Sequence, residues 1–307
     1  MNILTKTRQR ASEGFIVVAV LWLLAALATF ASIYAVYVID TAAAFRTYDD
    51  HLRAEALVSG AVELAAYQLT SKAERHPTHG QFRFRMGQAN VAVEFRSEAS
   101  RIDLNAAPKE LLVGLFVASG ASRVDAEKYA DRVIAWRTTP AKSHDSEVSA
   151  DQAAGSRYPP RGAPFPHAGE LALVDLPMEL VERALPLVTV YSGLGKVDVL
   201  EAAPEVMAAL PEITRDRLNS VLAHRQAMPG DGQALLPLLG RAQAYASTEA
   251  SKASRVTVHI AFDDGLQTSS EVVILAYEKG DAPYSVLSWR DQLESPPAND
   301  RLGTGSR

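Results

Sequence analysis

Seven histidines, 36 acidic residues and no cysteine bound the chemistry open to this 307-residue chain. Without a thiol there is no disulfide scaffold, no thiolate zinc or iron–sulfur site and no cysteine nucleophile. His76 and His79, in the run His76-Pro77-Thr78-His79, offer the two imidazoles a metal could use. Pro77 breaks a helix there, however, and the pair reads as an exposed loop. No serine stands in a Gly-x-Ser-x-Gly setting, so no hydrolase nucleophile is expected. Gly193-Leu194-Gly195-Lys196 is too short a glycine run to hold phosphates. The formal charge is −5, from 31 basic and 36 acidic residues, which argues against sequence-independent nucleic-acid binding. What remains is a folded protein expected to have neither enzymatic activity nor a cofactor.

One bond is chemically interesting as a substrate rather than as a tool. Lys6, Arg8 and Arg10 precede Glu13-Gly14-Phe15, and from Phe15 to Ile39 there is no charge. At about 1.5 Å per residue that run covers roughly 37 Å, enough to cross a hydrocarbon core of about 30 Å. The basic flank places the N-terminus in the cytoplasm and the bulk of the chain on the other side. Three fates are open: a secretory signal cut near Ala42-Ala43-Ala44, an anchor that is never cut, or cleavage between Gly14 and Phe15. The third resembles a type IV prepilin-type leader, which implies cleavage after Gly14 by a cytoplasmic-face peptidase and N-methylation of Phe15.

The elements that would carry these residues follow from periodicity. Helix formers continue from Asp40 to Arg75, with Leu57, Ala61, Leu64 and Ala65 on one side and Arg53, Glu55, Glu63 and Lys72 on the other, before His76-Pro77 ends the helix. Phe82, Phe84 and Met86, then Val91, Val93 and Phe95, alternate with polar residues across Gly87-Gln88 and predict a β-hairpin. Val256 to Phe262, Asp263-Asp264-Gly265 and Glu271 to Tyr277 predict another, with Tyr284 to Trp289 as a further strand and Leu187 to Tyr191 as a short one mid-chain.

Between the strand groups the chain repeats itself. The first copy runs Arg101-Ile-Asp103-Leu-Asn105-Ala106-Ala107-Pro108 into a Leu-rich helix and closes on Val133-Ile-Ala-Trp136-Arg137; the second runs Lys196-Val-Asp198-Val-Leu-Glu-Ala202-Ala203-Pro204 and closes on Val221-Leu-Ala-His-Arg225. Each predicts an extended entry, Pro at the first helical position and a helix pair.

This arrangement, with the basic leader, the Gly14-Phe15 junction, and Tyr158-Pro-Pro-Arg161-Gly-Ala-Pro-Phe165 leading into Gly169-Glu-Leu-Ala-Leu-Val174, resembles the K-type minor pseudopilins of type II secretion systems. The resemblance covers nearly the whole chain. It implies an α+β fold, with a long N-terminal helix packed on a pilin-like antiparallel sheet and a large inserted helical domain of two helix-pair repeats. The expected organisation is a leader (1–14), a transmembrane helix (15–39) and its periplasmic continuation (40–76). A sheet drawn from 80–100, 187–191 and 255–290 follows, with an inserted helical domain (101–185), a second helical repeat (196–250) and a flexible tail (291–307).

Implied partners are I- and J-type pseudopilins, with H-type and major G-type subunits, the inner-membrane secretion platform and prepilin peptidase. The implied place is the inner membrane and then the pseudopilus tip. Position five after the cut is Ala19, where most pseudopilins carry Glu to offset a neighbour's terminal ammonium; its absence suits a subunit with nothing ahead of it. Resembling proteins often have an Asp-rich loop after the Trp-Arg, and some bind calcium in the soluble domain. Here Asp145, Glu147 and Asp151 are loosely spaced, against the six to eight oxygens calcium takes, and read as a solvated loop. The Asp-Leu-Asn-x-Ala-Pro opening also resembles helix-hairpin-helix DNA-binding modules, including membrane-anchored DNA uptake receptors. Those modules present hairpin N–H groups to phosphate, whereas this second hairpin carries Glu212. A type IV pilus minor pilin is the other alternative.

Overall fold

The computed structural model describes residues 10–71, 77–139, 160–277 and 282–292. The chain falls into two units, Met1–Ala56 and Leu57–Arg307. Helix α1, Arg10–Ser71, begins in the first. Within it Phe15–Ala42 is long and apolar enough to cross a membrane, and its side chains point outward, Phe15 and Trp22 about three-quarters exposed (76% and 75%). The hydroxyls of Thr29, Ser32 and Thr41 donate to the carbonyls of Ala25, Ala28 and Tyr37, so these polar groups are satisfied by the helix itself, as lipid requires.

In the second unit the last turns of α1 bury Leu57, Val58, Ala61, Val62, Ala65, Ala66 and Leu69. Leu64, expected on this stripe, is exposed; the buried face is set by the pairs one position apart that flank it. A five-stranded antiparallel sheet follows, in the order β1 (His79–Met86), β2 (Ala89–Ser97), β7 (Ala253–Phe262), β8 (Gln267–Ala276), β9 (Tyr284–Gln292). Gly87, at φ +58°, turns the β1–β2 hairpin and Gly265, at φ +93°, the β7–β8 hairpin. Register sets Phe82 against Val93 and Val93 against Val258, so one sheet face is apolar across β1, β2 and β7, while β8 and β9 continue that row with Ser270 and Asp291. Tyr284 on the edge strand β9 donates to Glu63 in the last turns of α1 (3.4 Å).

The helical body lies between β2 and β7. It contains β3 (Ile102–Asp103), α2 (Lys109–Ala118), α3 (Arg123–Arg137), α4 (Met178–Ala184) and β4 (Val188–Thr189). A second set follows: β5 (Val197–Asp198), α5 (Pro204–Ala208), α6 (Arg215–Ala227), α7 (Gly232–Leu238) and β6 (Ala246–Ser247). Strand β3 pairs in parallel with β4, and β5 with β6, so each set closes back on its own entry.

Two expectations need correction here. The run 187–191 does not join the main sheet. Pro186 sits in the 3-10 turn before it, and the Thr189 hydroxyl turns back to accept the Tyr191 N–H, so only two residues extend and they pair with β3. Nor does the inserted domain end at 185: the second repeat, 196–250, belongs to the same body. One hydrophobic core runs from Ile102 to Ala246 and takes in Phe116, Leu171, Met207 and Leu235. Gly114 of α2 makes the merger possible: a Cβ there would lie 1.8 Å from the Ala209 carbonyl oxygen, so only glycine lets the two repeats approach.

Candidate functional site

The two Asp-Ala-Ala-Pro loops are built alike. In the first, the Ala107 N–H donates to the Asp103 carbonyl (2.8 Å), the Asn105 N–H to the Asp103 carboxylate (2.7 Å), and the Leu104 N–H to the Thr189 carbonyl (2.9 Å). In the second, Ala202 donates to the Asp198 carbonyl (2.9 Å), Leu200 to the Asp198 carboxylate (2.9 Å), and Val199 to the Ser247 carbonyl (3.0 Å). The closing arginine of each copy then reaches back. Arg137 donates to the carbonyls of Leu104 (2.6 Å) and Ala107 (2.8 Å), and Arg225 to those of Ala202 (2.6 Å) and Val199 (3.4 Å). Each guanidinium thus satisfies carbonyls that the loop leaves without backbone donors.

The structural correspondence is therefore Leu104 to Val199 and Ala107 to Ala202, one step out of register with the Ala-Ala-Pro triplets themselves. Copy two holds one extra residue before its Pro, and the helix start absorbs it. Pro204 is the first residue of α5, as expected, but Pro108 is the cap before α2, with extended ψ of 161°. A proline suits either place, because both lack a backbone donor requirement.

Around this shared frame the copies differ. Asn105 holds the segment at Phe165 from both sides, donating to its carbonyl (2.9 Å) and accepting its N–H (2.7 Å), while Phe165 stacks on Trp136 at 6.2 Å. Asp103, fully buried, also accepts from the Ser192 hydroxyl (3.0 Å) and the Gly193 N–H (2.7 Å). Asp198 is equally buried, but its second oxygen has no partner among the described residues; burial pushes its carboxyl up to about 7. Glu201 beside it pairs with His79 of β1 (2.6 Å). His79 is thus turned toward Glu201, and its expected companion His76 lies outside the described residues.

Ala106 and Ala203 are half-buried, and Ala202 fully buried, as parts of this packing. All eleven motif residues predicted from the repeat gather in the two loops and their closing helices, and all act on backbone or core. Among the described residues no three His, Asp or Glu side chains gather where a metal could sit. Asp145, Glu147 and Asp151 lie outside them. Gly14 and Phe15 stand within α1. The sequence reading missed a buried ion-pair network in which Arg255 of β7 holds Glu98 (2.7 Å) and Glu271, with Thr189 also on Glu98. Its trace in the sequence is faint: an Arg and a Glu interrupting otherwise apolar or hydroxylated strand positions.

Neither a protein-family model nor a curated protein sequence matches the chain. Among solved structures it is similar to a chain of the GspK-GspI-GspJ complex from the enterotoxigenic Escherichia coli type 2 secretion system. The likeness has a TM-score of 0.59 and 16% identity over 81% of this chain and 99% of that one. The fold is GspK-like. At that identity the shared property is the fold over the matched four-fifths of this chain.

Proposed function

We propose that this chain is a minor pseudopilin of a type II secretion system, anchored in the bacterial inner membrane by α1, with its body in the periplasm. It assembles with I- and J-type pseudopilins, and with H-type and G-type subunits below them, at the tip of the pseudopilus that drives protein export. The observation that carries this reading is the joining of a GspK-like body to an uncharged span opening at Phe15 and lacking a carboxylate at Ala19. A subunit without that carboxylate cannot neutralise a terminal ammonium ahead of it, so it caps rather than continues a stack. The work is done by contact surfaces, with no catalysis, no cofactor and no bound nucleic acid; prepilin peptidase and the secretion platform act on the chain. Where the span leaves the bilayer it exchanges lipid for partner helices, one apolar setting for another, at small cost per residue.

Mass spectrometry of the protein purified from cells with a prepilin peptidase tests this. An N-methyl-Phe15 terminus is expected, abolished by Gly14→Val. An intact Met1, or a cut near Ala44, rejects the reading. Photocrosslinks from the exposed face of α1 are expected to capture I- or J-type subunits.

A further inference from the structure

A second site lies where the sheet meets the helical body. A cavity of about 130 Å³ is lined by Arg101, Arg255 of β7, Arg290 of β9 and His167, with Thr189 and Tyr191 behind them. The donors there outnumber their acceptors. Arg255 is committed to Glu98 and Glu271, and both acids to it. Arg101, at the head of β3 and half-buried, makes no side-chain hydrogen bond or ion pair among the described residues; burial and the charge of Arg255 disfavour its guanidinium charge, and Glu98 and Glu271 favour it from a distance. His167 accepts the Gly169 N–H through Nδ1 (2.9 Å), so in the neutral ring the proton is on Nε2, and Nε2 abuts a guanidinium nitrogen of Arg290. Two donors therefore face each other with no acceptor between them. Glu170, the third nearby acid, lies outside the lining; Arg161 holds one of its oxygens, and the other is buried without a partner among the described residues. The lining itself holds three arginines and no carboxylate; Glu98, Glu271 and Glu170 all lie behind it.

We propose that this cavity is a binding site for a small oxyanion, a phosphate or a carboxylate, held by Arg101 and Arg290 with His167 Nε2–H as the third donor. Guanidinium groups match the paired oxygens of either anion, and a partly desolvated site strengthens the hydrogen bonds. Because Arg290 belongs to the sheet and His167 and Arg101 to the inserted body, a bound anion ties the two together.

The test is thermal unfolding of the detergent-solubilised full chain with inorganic phosphate or succinate, against chloride at equal ionic strength. A rise in Tm of about 3 °C at ten times the Kd is expected with at least one of the two, and is lost in Arg101→Gln. Arg290→Gln on the edge strand, where folding is not at stake, is expected to weaken binding at least tenfold. A response to phosphate alone identifies a free tetrahedral anion, and one to succinate alone a carboxylate, such as a partner's acidic side chain. No response to either anion in the wild type, or an equal response in both variants, overturns the proposal.

Discussion

Asp103 and Asp198 hold the same place in two copies of one loop, yet among the described residues the first carboxylate accepts four hydrogen bonds and the second accepts one. The cause lies at the far end of each copy. The closing strands end alike, with Thr189 bonding the Tyr191 N–H and Ser247 bonding the Glu249 N–H. Three residues after Thr189 stands Ser192, whose hydroxyl completes Asp103; three after Ser247 stands Ala250, which has none. The backbone is duplicated and the polar satisfaction is not, so a repeated motif does not carry a repeated energy.

The largest effect that follows is at the satisfied copy. Asp103→Ala strands the N–H groups of Asn105, Ala106 and Gly193 and the Ser192 hydroxyl in a buried site, at a cost of about 3 kcal/mol or more. Denaturant midpoints of the full chain in detergent measure it, and a loss under 1 kcal/mol would remove the distinction between the copies.

Asp198 is expected to behave in the opposite sense, and with pH. Its folded carboxyl is raised to about 7, above the unfolded value of 3.8, by burial first and then by Glu201. Between those values the folded state holds more protons than the unfolded one, so this group's contribution is full below pH 3.8 and is lost as pH rises toward 7. The loss is on the order of 2–4 kcal/mol. Asp198→Asn carries no such titration: it is expected to match the wild type near pH 4 and exceed it near pH 8. Equal slopes of stability against pH in the two proteins would show that the orphan oxygen is solvated.

How far the sequence could show this is instructive. The helix, both long hairpins and the repeat were legible because each rests on periodicity or turn chemistry within a short window. The loops' hydrogen bonds were not, since Asp103 is completed by Ser192 and Glu98 by Arg255, partners that a linear reading cannot bring together. The Ala-Ala-Pro triplets even misled by one residue, because proline is equally at home as a cap or as the first helical residue, and only backbone angles separate Pro108 from Pro204.

A smaller contrast concerns the closing arginines. Arg137 makes two short bonds to loop carbonyls, Arg225 one short and one long. Arg137→Ala is expected to cost about 2 kcal/mol and Arg225→Ala about 1, since hydrogen bonds from a charged donor contribute about 1.5–3 kcal/mol at good geometry. The reverse order in thermal melts would mean that Arg225's packing on Met207 outweighs its hydrogen bonds.

The smallest expected effect lies at the hairpin turns and has the opposite sign. Two residues before the cap of α3, which is Ser122, stands Gly120 at φ +102°; two before the cap of α6, which is Thr214, stands Glu212 at φ +60°. The same turn thus demands the left-handed region twice and receives glycine once. A Cβ in that region costs about 1 kcal/mol, while glycine gains chain entropy on unfolding that returns part of it. Glu212 also gives up only an exposed pair with Arg241 (3.3 Å), worth little in water. Glu212→Gly is therefore expected to stabilise by about 0.5 kcal/mol, whereas Gly120→Ala destabilises by at least 1, its Cβ meeting the Arg183 guanidinium at 3.1 Å. Destabilisation by Glu212→Gly would show that the carboxylate, and not the turn, is what selection kept at that hairpin.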